Sequence, residues 1–338
     1  MFSLEAYIDL PLVWGGLIAT AVLLYVLLDG FDLGAGILFP FAPTDKCRDK
    51  IMNSIAPFWD ANETWLVLGG GGLFAAFPMA YGIIMPAFYI PVILMLLALI
   101  FRGVAFEFRF KAEASKPFWG MVFHFGSLAA ALMQGMILGG LVQGIKVDGR
   151  HFAGGAFDWL TAFSVMCGLG VMCGYVLLGA TWLLMKTDEE TRDWARKCAS
   201  YIFIFVAAFM GIVSIWVPFL DNDIHLRWFG GDHFYYLLPI PVATAAVFAA
   251  LFITLRQGRE YWPFILSILL FMLGYAGLAI SLWPYIVPFA VTVHQAAAAP
   301  ESQSLLLVGA LVMLPIILGY TAYCYYLFKG KVSHEATY

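Results

Sequence analysis

Nine long apolar stretches dominate the sequence, near residues 11–40, 52–76, 81–108, 117–144, 158–185, 198–220, 236–256, 262–288 and 304–328. A helix needs about 20 apolar residues to cross roughly 30 Å of hydrocarbon, and each stretch meets that length. Several exceed it, so tilted or protruding helices are expected. The chain reads as an all-α polytopic membrane protein with nine transmembrane helices. Composition agrees: 62% of its 338 residues are hydrophobic and 12% charged, where a soluble domain carries about 25% charged. A net charge of -4 gives no basic signature for nucleic acid. The N-terminus has neither a basic n-region nor a small-residue cleavage site, so no cleaved signal peptide is expected. The five cysteines are scattered without a C-x-x-C pair, which supports neither a disulfide framework nor a zinc site.

The positive-inside rule sets the direction. Connections after odd-numbered stretches, with the C-terminal tail, hold fourteen of the eighteen Lys and Arg residues; those after even-numbered stretches hold Lys146, Arg150 and Arg227. The N-terminus is expected outside and the C-terminus in the cytoplasm. A faint repeat, Tyr25-Val26-Leu27-Leu28 against Tyr175-Val176-Leu177-Leu178, fits two four-helix bundles related by pseudosymmetry. On that division residues 1–150 form the first bundle and 151–295 the second. Residues 296–338 form a peripheral ninth helix and a cytoplasmic tail.

Five charges interrupt the apolar stretches. At a rise of about 1.5 Å per residue, Asp29 lies roughly 24–27 Å along the first span, with Asp32 one turn on. Asp60 and Glu63 are expected about 13–18 Å along the second, and Arg102 about 28 Å along the third. All five fall in the cytoplasmic half, and each acid pair has i, i+3 spacing on one helix face. An ionised side chain at that depth is costly and marks a functional site by default. One reading has Arg102 pinning the helices through ion pairs. The other uses the surplus acids as a proton or cation path, because crowded, desolvated carboxylates can hold protons near neutral pH. Trp59, Asn62 and Trp65 flank the second pair, and Glu107 and His124 complete the supporting set. Gly30/Gly34 and the Gly69–Gly72 run permit close helix approach. Neither sits in a nucleotide-binding context.

A haem held within the bundle needs facing axial ligands at one depth. His151, His225, His233, His294 and His334 fall in connections or the tail, leaving His124 alone within a span. No catalytic or metal-ligating residue is assigned to this chain, and any electron chemistry is expected in a partner.

The strings "LLDGFDLGAGILFPF" (27–41), "SIAPFWDANETWLVLGGGGLFAAFP" (54–78), "LIFRGVAFEFR" (99–109) and "GYVLLGATWLLMKT" (174–187) resemble subunit II of the cytochrome bd-type quinol oxidases. The compact length and short connections are similar to its cyanide-insensitive branch. The resemblance implies a complex that oxidises quinol and reduces dioxygen to water in a bacterial cytoplasmic (inner) membrane. Haem b and haem d centres would be held by a homologous subunit I, packed against this chain as a pseudosymmetric heterodimer. It further implies a proton path through Asp60, with Asp29 and Arg102 matching family positions. A bound structural quinone, an oxygen route and a small single-helix subunit belong to the same implication. Two other readings stay open on the residues: a secondary transporter using the buried acids, and a purely structural assembly subunit. Against the first, spans five to eight carry almost no intramembrane charge.

Overall fold

The computed structural model describes residues 9–231 and 233–332. His334 and the outer ends of the expected segments, residues 1–8 and 333–338, lie outside the described residues. Helix α1 (Leu10–Leu38) is capped by Asp9, whose carboxylate accepts from the Leu12 N–H. The amphipathic α2 (Asp45–Ile55) follows, capped by Thr44. Pro57 then interrupts the chain, since proline has no N–H and disfavours helix in the residue before it. α3 (Trp59–Ala76) starts beyond that break. α4 (Pro78–Ala87) and α5 (Tyr89–Lys111) divide at Phe88. α6 (Lys116–Val142) leads through a hairpin, β1 (Val147–Asp148) and β2 (His151–Phe152), to α7 (Ala162–Lys186). Then come α8 (Glu189–Trp216), α9 (Asn222–Phe229), α10 (His233–Leu237), α11 (Pro239–Arg256) and α12 (Trp262–Leu282). A second hairpin, β3 (Tyr285–Val287) with β4 (Val291–Thr292), precedes α13 (Val293–Ala296) and α14 (Pro300–Leu327).

Among the described residues, eight helical stretches are long and apolar enough to cross a membrane: those of α1, α5, α6, α7, α8, α10–α11, α12 and α14. The second expected stretch, 52–76, differs. Its first part belongs to α2, and the helix that remains carries Asp60, Asn62 and Glu63 in its opening turns.

Ion pairs gather the basic connections at one end of the bundle. Lys50 pairs with Asp188, Arg109 and Lys116 with Asp49, and Arg192 and Lys331 with Glu260. At the other end the Ala76 carbonyl, closing α3, accepts from the Ala298 N–H and from Gln303 Nε2. His294 there hydrogen-bonds Asp9 and holds its carboxyl below the usual range, and Lys146 does the same for Asp158.

Helices α1 and α7 meet at the centre. A Cβ on Gly34 would stand 1.7 Å from the Tyr175 carbonyl oxygen, so only glycine allows this crossing. Below it, Phe31 stacks on Trp182 with centroids 4.1 Å apart. This core places the last third of α1, with Asp29 and Asp32, away from any surface of the chain.

Candidate functional site

Arg102 projects from α5 into the packing between α1 and α3. Gly126 of α6 lets the α5 backbone approach: a Cβ there would lie 2.8 Å from the Ala98 carbonyl oxygen and 3.1 Å from the Arg102 backbone nitrogen. The guanidinium Nη1 donates to Asp29 Oδ1 and to Glu63 Oε1, each at 2.8 Å. Its Nη2 lies 3.9 Å from Asp32 Oδ2. Asn62 Nδ2 donates to that same Asp32 oxygen at 2.8 Å and to the Leu28 carbonyl at 3.3 Å. Asp29, Asp32 and Asn62 are fully buried and Arg102 is 1% exposed, whereas the Glu63 side chain is 25% exposed. One guanidinium thus faces three carboxylates, and Glu63 is the member reachable from outside the chain.

Four of the five expected charges therefore meet. Asp60 does not join them. It stands in the first turn of α3, with an exposed side chain, rather than about 13 Å along a continuous span begun at residue 52. The Pro57 break is the reason: the helix restarts at Trp59, so the depth counted from residue 52 does not apply. An acid in a first helical turn also complements the helix dipole. Asp60 remains one turn from Glu63 on the same face. Trp59 packs at 5.4 Å on Phe106, and Trp65 is buried beside Ala21 and Tyr25. Glu107 is away from the cluster, exposed and paired with Lys111 at 3.7 Å. His124 is buried, its Nδ1 3.4 Å from the Gly36 carbonyl oxygen, with Phe41 and Phe125 against its ring. The other described histidines stand on β2, α9, α10 and α13, at the opposite end from the start of α6. None can face His124 across a haem, so the described residues do not form a bis-histidine haem site.

Tyrosines that sequence reasoning missed extend the polar network. Tyr25, one turn before Asp29 on α1, lies beside that carboxylate. Its hydroxyl accepts from Gln134 Nε2 at 2.6 Å, and Gln134 Oε1 accepts from the Tyr175 hydroxyl at 2.7 Å. The two tyrosines of the faint repeat thus share one glutamine. Tyr325 of α14 donates to Asn62 Oδ1 at 3.1 Å.

Fold and site together define a polytopic helical membrane protein organised around a buried acid–arginine cluster. The profile of the family described as cytochrome bd terminal oxidase subunit II matches residues 10–328. A cytochrome bd ubiquinol oxidase subunit 2 from Bacillus subtilis (strain 168) is 30% identical over 336 residues, covering 95% of this chain and 96% of its own. A cytochrome bd-I ubiquinol oxidase subunit 2 from Escherichia coli (strain K12) is 28% identical over 367 aligned residues, 97% of each chain. The solved bd oxidase from Geobacillus thermodenitrificans contains a chain of the same fold, with a TM-score of 0.75 at 17% identity, over 95% of this chain and 99% of that one. The chain belongs to the cytochrome bd terminal oxidase subunit II family.

Proposed function

We propose that this chain is the second subunit of a membrane complex that oxidises quinol and reduces dioxygen to water, and that its acid cluster carries protons from the cytoplasm. Family membership supports the complex and a haem-bearing partner subunit. The proton role rests on one observation: Arg102 Nη1 is shared between sealed Asp29 and quarter-exposed Glu63. A proton taken by exposed Asp60 passes to Glu63, one turn away. Glu63 can then release Arg102 while the Arg102–Asp29 pair keeps the guanidinium in place. Charge balance favours this, because three ionised carboxylates would leave two uncompensated negative charges in a desolvated site.

In this reading α3 is a ninth crossing, since it runs from the basic end to the Ala76 contacts with Ala298 and Gln303. The basic end faces the cytoplasm of a bacterial cell. Residues 1–150 and 151–295 are the two bundles, with Tyr25 and Tyr175 as related positions, and 296–338 the peripheral helix and tail. Four and seven residues after Tyr175, α7 carries Gly179 and Trp182 where α1 carries Asp29 and Asp32. The site is therefore one-sided, unlike that of a transporter with acids in both halves. Quinol, dioxygen and a small single-helix subunit belong to the complex, and haem b and haem d to the partner.

The test is Asp60→Asn, which keeps the size and polarity of the side chain but cannot ionise. The assembled complex should retain its haem spectrum and lose most quinol-driven oxygen consumption. Normal turnover would return Asp60 to a first-turn charge that complements the α3 dipole. A structural reading of the cluster, in which Arg102 ties α1, α3 and α5 together, predicts that normal turnover.

A further inference from the structure

α14 is the least enclosed of the long helices: Gln303 is the one buried residue among those described in it. It is nonetheless fastened at both ends. At one, Gln303 bonds to Ala76 and its carbonyl accepts from Trp14 Nε1 at 3.0 Å. At the other, the Tyr325 ring stacks on Phe58 at 4.4 Å, and Phe328 meets Phe58 edge-on at 6.1 Å. The Phe328 and Gly330 carbonyls there accept from the buried Lys186 ammonium.

One contact of that second attachment reaches the acid cluster. The Tyr325 hydroxyl donates to Asn62 Oδ1, while Asn62 Nδ2 faces two acceptors, Asp32 Oδ2 and the Leu28 carbonyl. A carboxamide accepts on one side and donates on the other, so the two acceptors facing Nδ2 set its orientation and the Tyr325 hydroxyl holds the oxygen side as donor. Turned over, Asn62 would set its oxygen against the Asp32 carboxylate.

We propose that Tyr325 is a positioning residue: through Asn62 it keeps a hydrogen-bond donor on Asp32, so that seating of the last helix sets the hydrogen bonding of the acid cluster. The other groups facing Asp32 are Asp29 on its own helix, Glu63 from α3 and Arg102 from α5. The orientation stands on geometry, and only its effect on turnover rests on the proton path proposed above.

Tyr325→Phe keeps the ring and its stacking and removes the hydroxyl. Asn62→Leu removes the amide at similar volume. Two readouts on the assembled complex separate the claims: the pH titration of the buried carboxyl stretch by infrared spectroscopy, and the pH profile of quinol oxidation. In Asn62→Leu the carboxyl titration should move by about one pH unit to the alkaline side, the scale of one lost hydrogen bond to a charged group. Tyr325→Phe, which leaves that donor in place without its support, should move it the same way by less, and the double variant no more than Asn62→Leu, because both break one chain of bonds. An unmoved titration in Tyr325→Phe, or shifts that add in the double variant, would overturn the positioning role. A shifted titration with an unmoved turnover profile would uphold it and count against the proton path instead.

Discussion

At Arg102, hydrogen-bond supply and demand do not close within the described residues. Among them Asp32 Oδ1 and the Arg102 Nε and Nη2 have no hydrogen-bond partner. Buried polar atoms left so cost about 1–3 kcal/mol each, and enclosed water is what they recruit. Removing the guanidinium would be far worse, because breaking one side of a buried ion pair costs about 3–5 kcal/mol. Arg102→Leu should therefore abolish accumulation of the assembled complex, measured as its amount in solubilised membranes. Arg102→Lys keeps the charge without the planar fork and should retain part of it. Wild-type levels of an Arg102→Leu complex would show that the cluster is not needed for the fold. This cluster was largely legible beforehand. Charges among lipid-like residues stand out, and i, i+3 spacing puts Asn62's neighbours and the aspartates on definite faces. The depth of Asp60 was not legible, because hydropathy runs smoothly through Pro57 while the helix does not. Tyr325 was hidden for another reason: its partner lies 263 positions away, and nothing local distinguishes it from other tyrosines near a helix end.

Among the elements, the crossing of α1 and α7 carries the most consequence, because it fixes the face that presents Asp29 and Asp32. The G-x-x-x-G spacing of Gly30 and Gly34 foretold a close approach, and the structure supplies its partner, the Tyr175–Gly179 turn of α7. Gly34→Ala should push the helices apart. Overpacking usually costs about 1–3 kcal/mol, and here the added carbon would meet backbone rather than a movable side chain. The expected outcome is a complex that inactivates at clearly lower temperature or fails to assemble. Gly16→Ala on the same helix, with nothing within 4 Å of the new carbon, should behave like the parent chain. Equal thermal inactivation curves for the two variants would contradict the close crossing. The ends of the elements were less legible than their existence. α8 starts nine residues before its apolar stretch, at Glu189, because charged residues extend a helix beyond the hydrocarbon without interrupting its hydrogen bonds.

For the molecule as a whole, the ion pairs that collect the basic connections at one end turn a statistical rule about loops into a geometric statement with two faces. If the basic end is cytoplasmic, a membrane-impermeant thiol reagent added outside should label a cysteine placed at His294 and spare one at Lys111. Both side chains are accessible, at 55% and 79% exposure, so a failure to react would reflect the side of the membrane. The reverse pattern would invert the proposed direction of proton entry. The account as a whole turns on Glu63, the carboxylate both bonded to Arg102 and open to the surface. Proton uptake from the cytoplasmic side, followed in time during quinol oxidation by the assembled Glu63→Gln complex, tests it most directly. Uptake should slow by about tenfold or more while the haem spectrum stays that of the parent. Uptake at the parental rate in a fully assembled Glu63→Gln complex would contradict it.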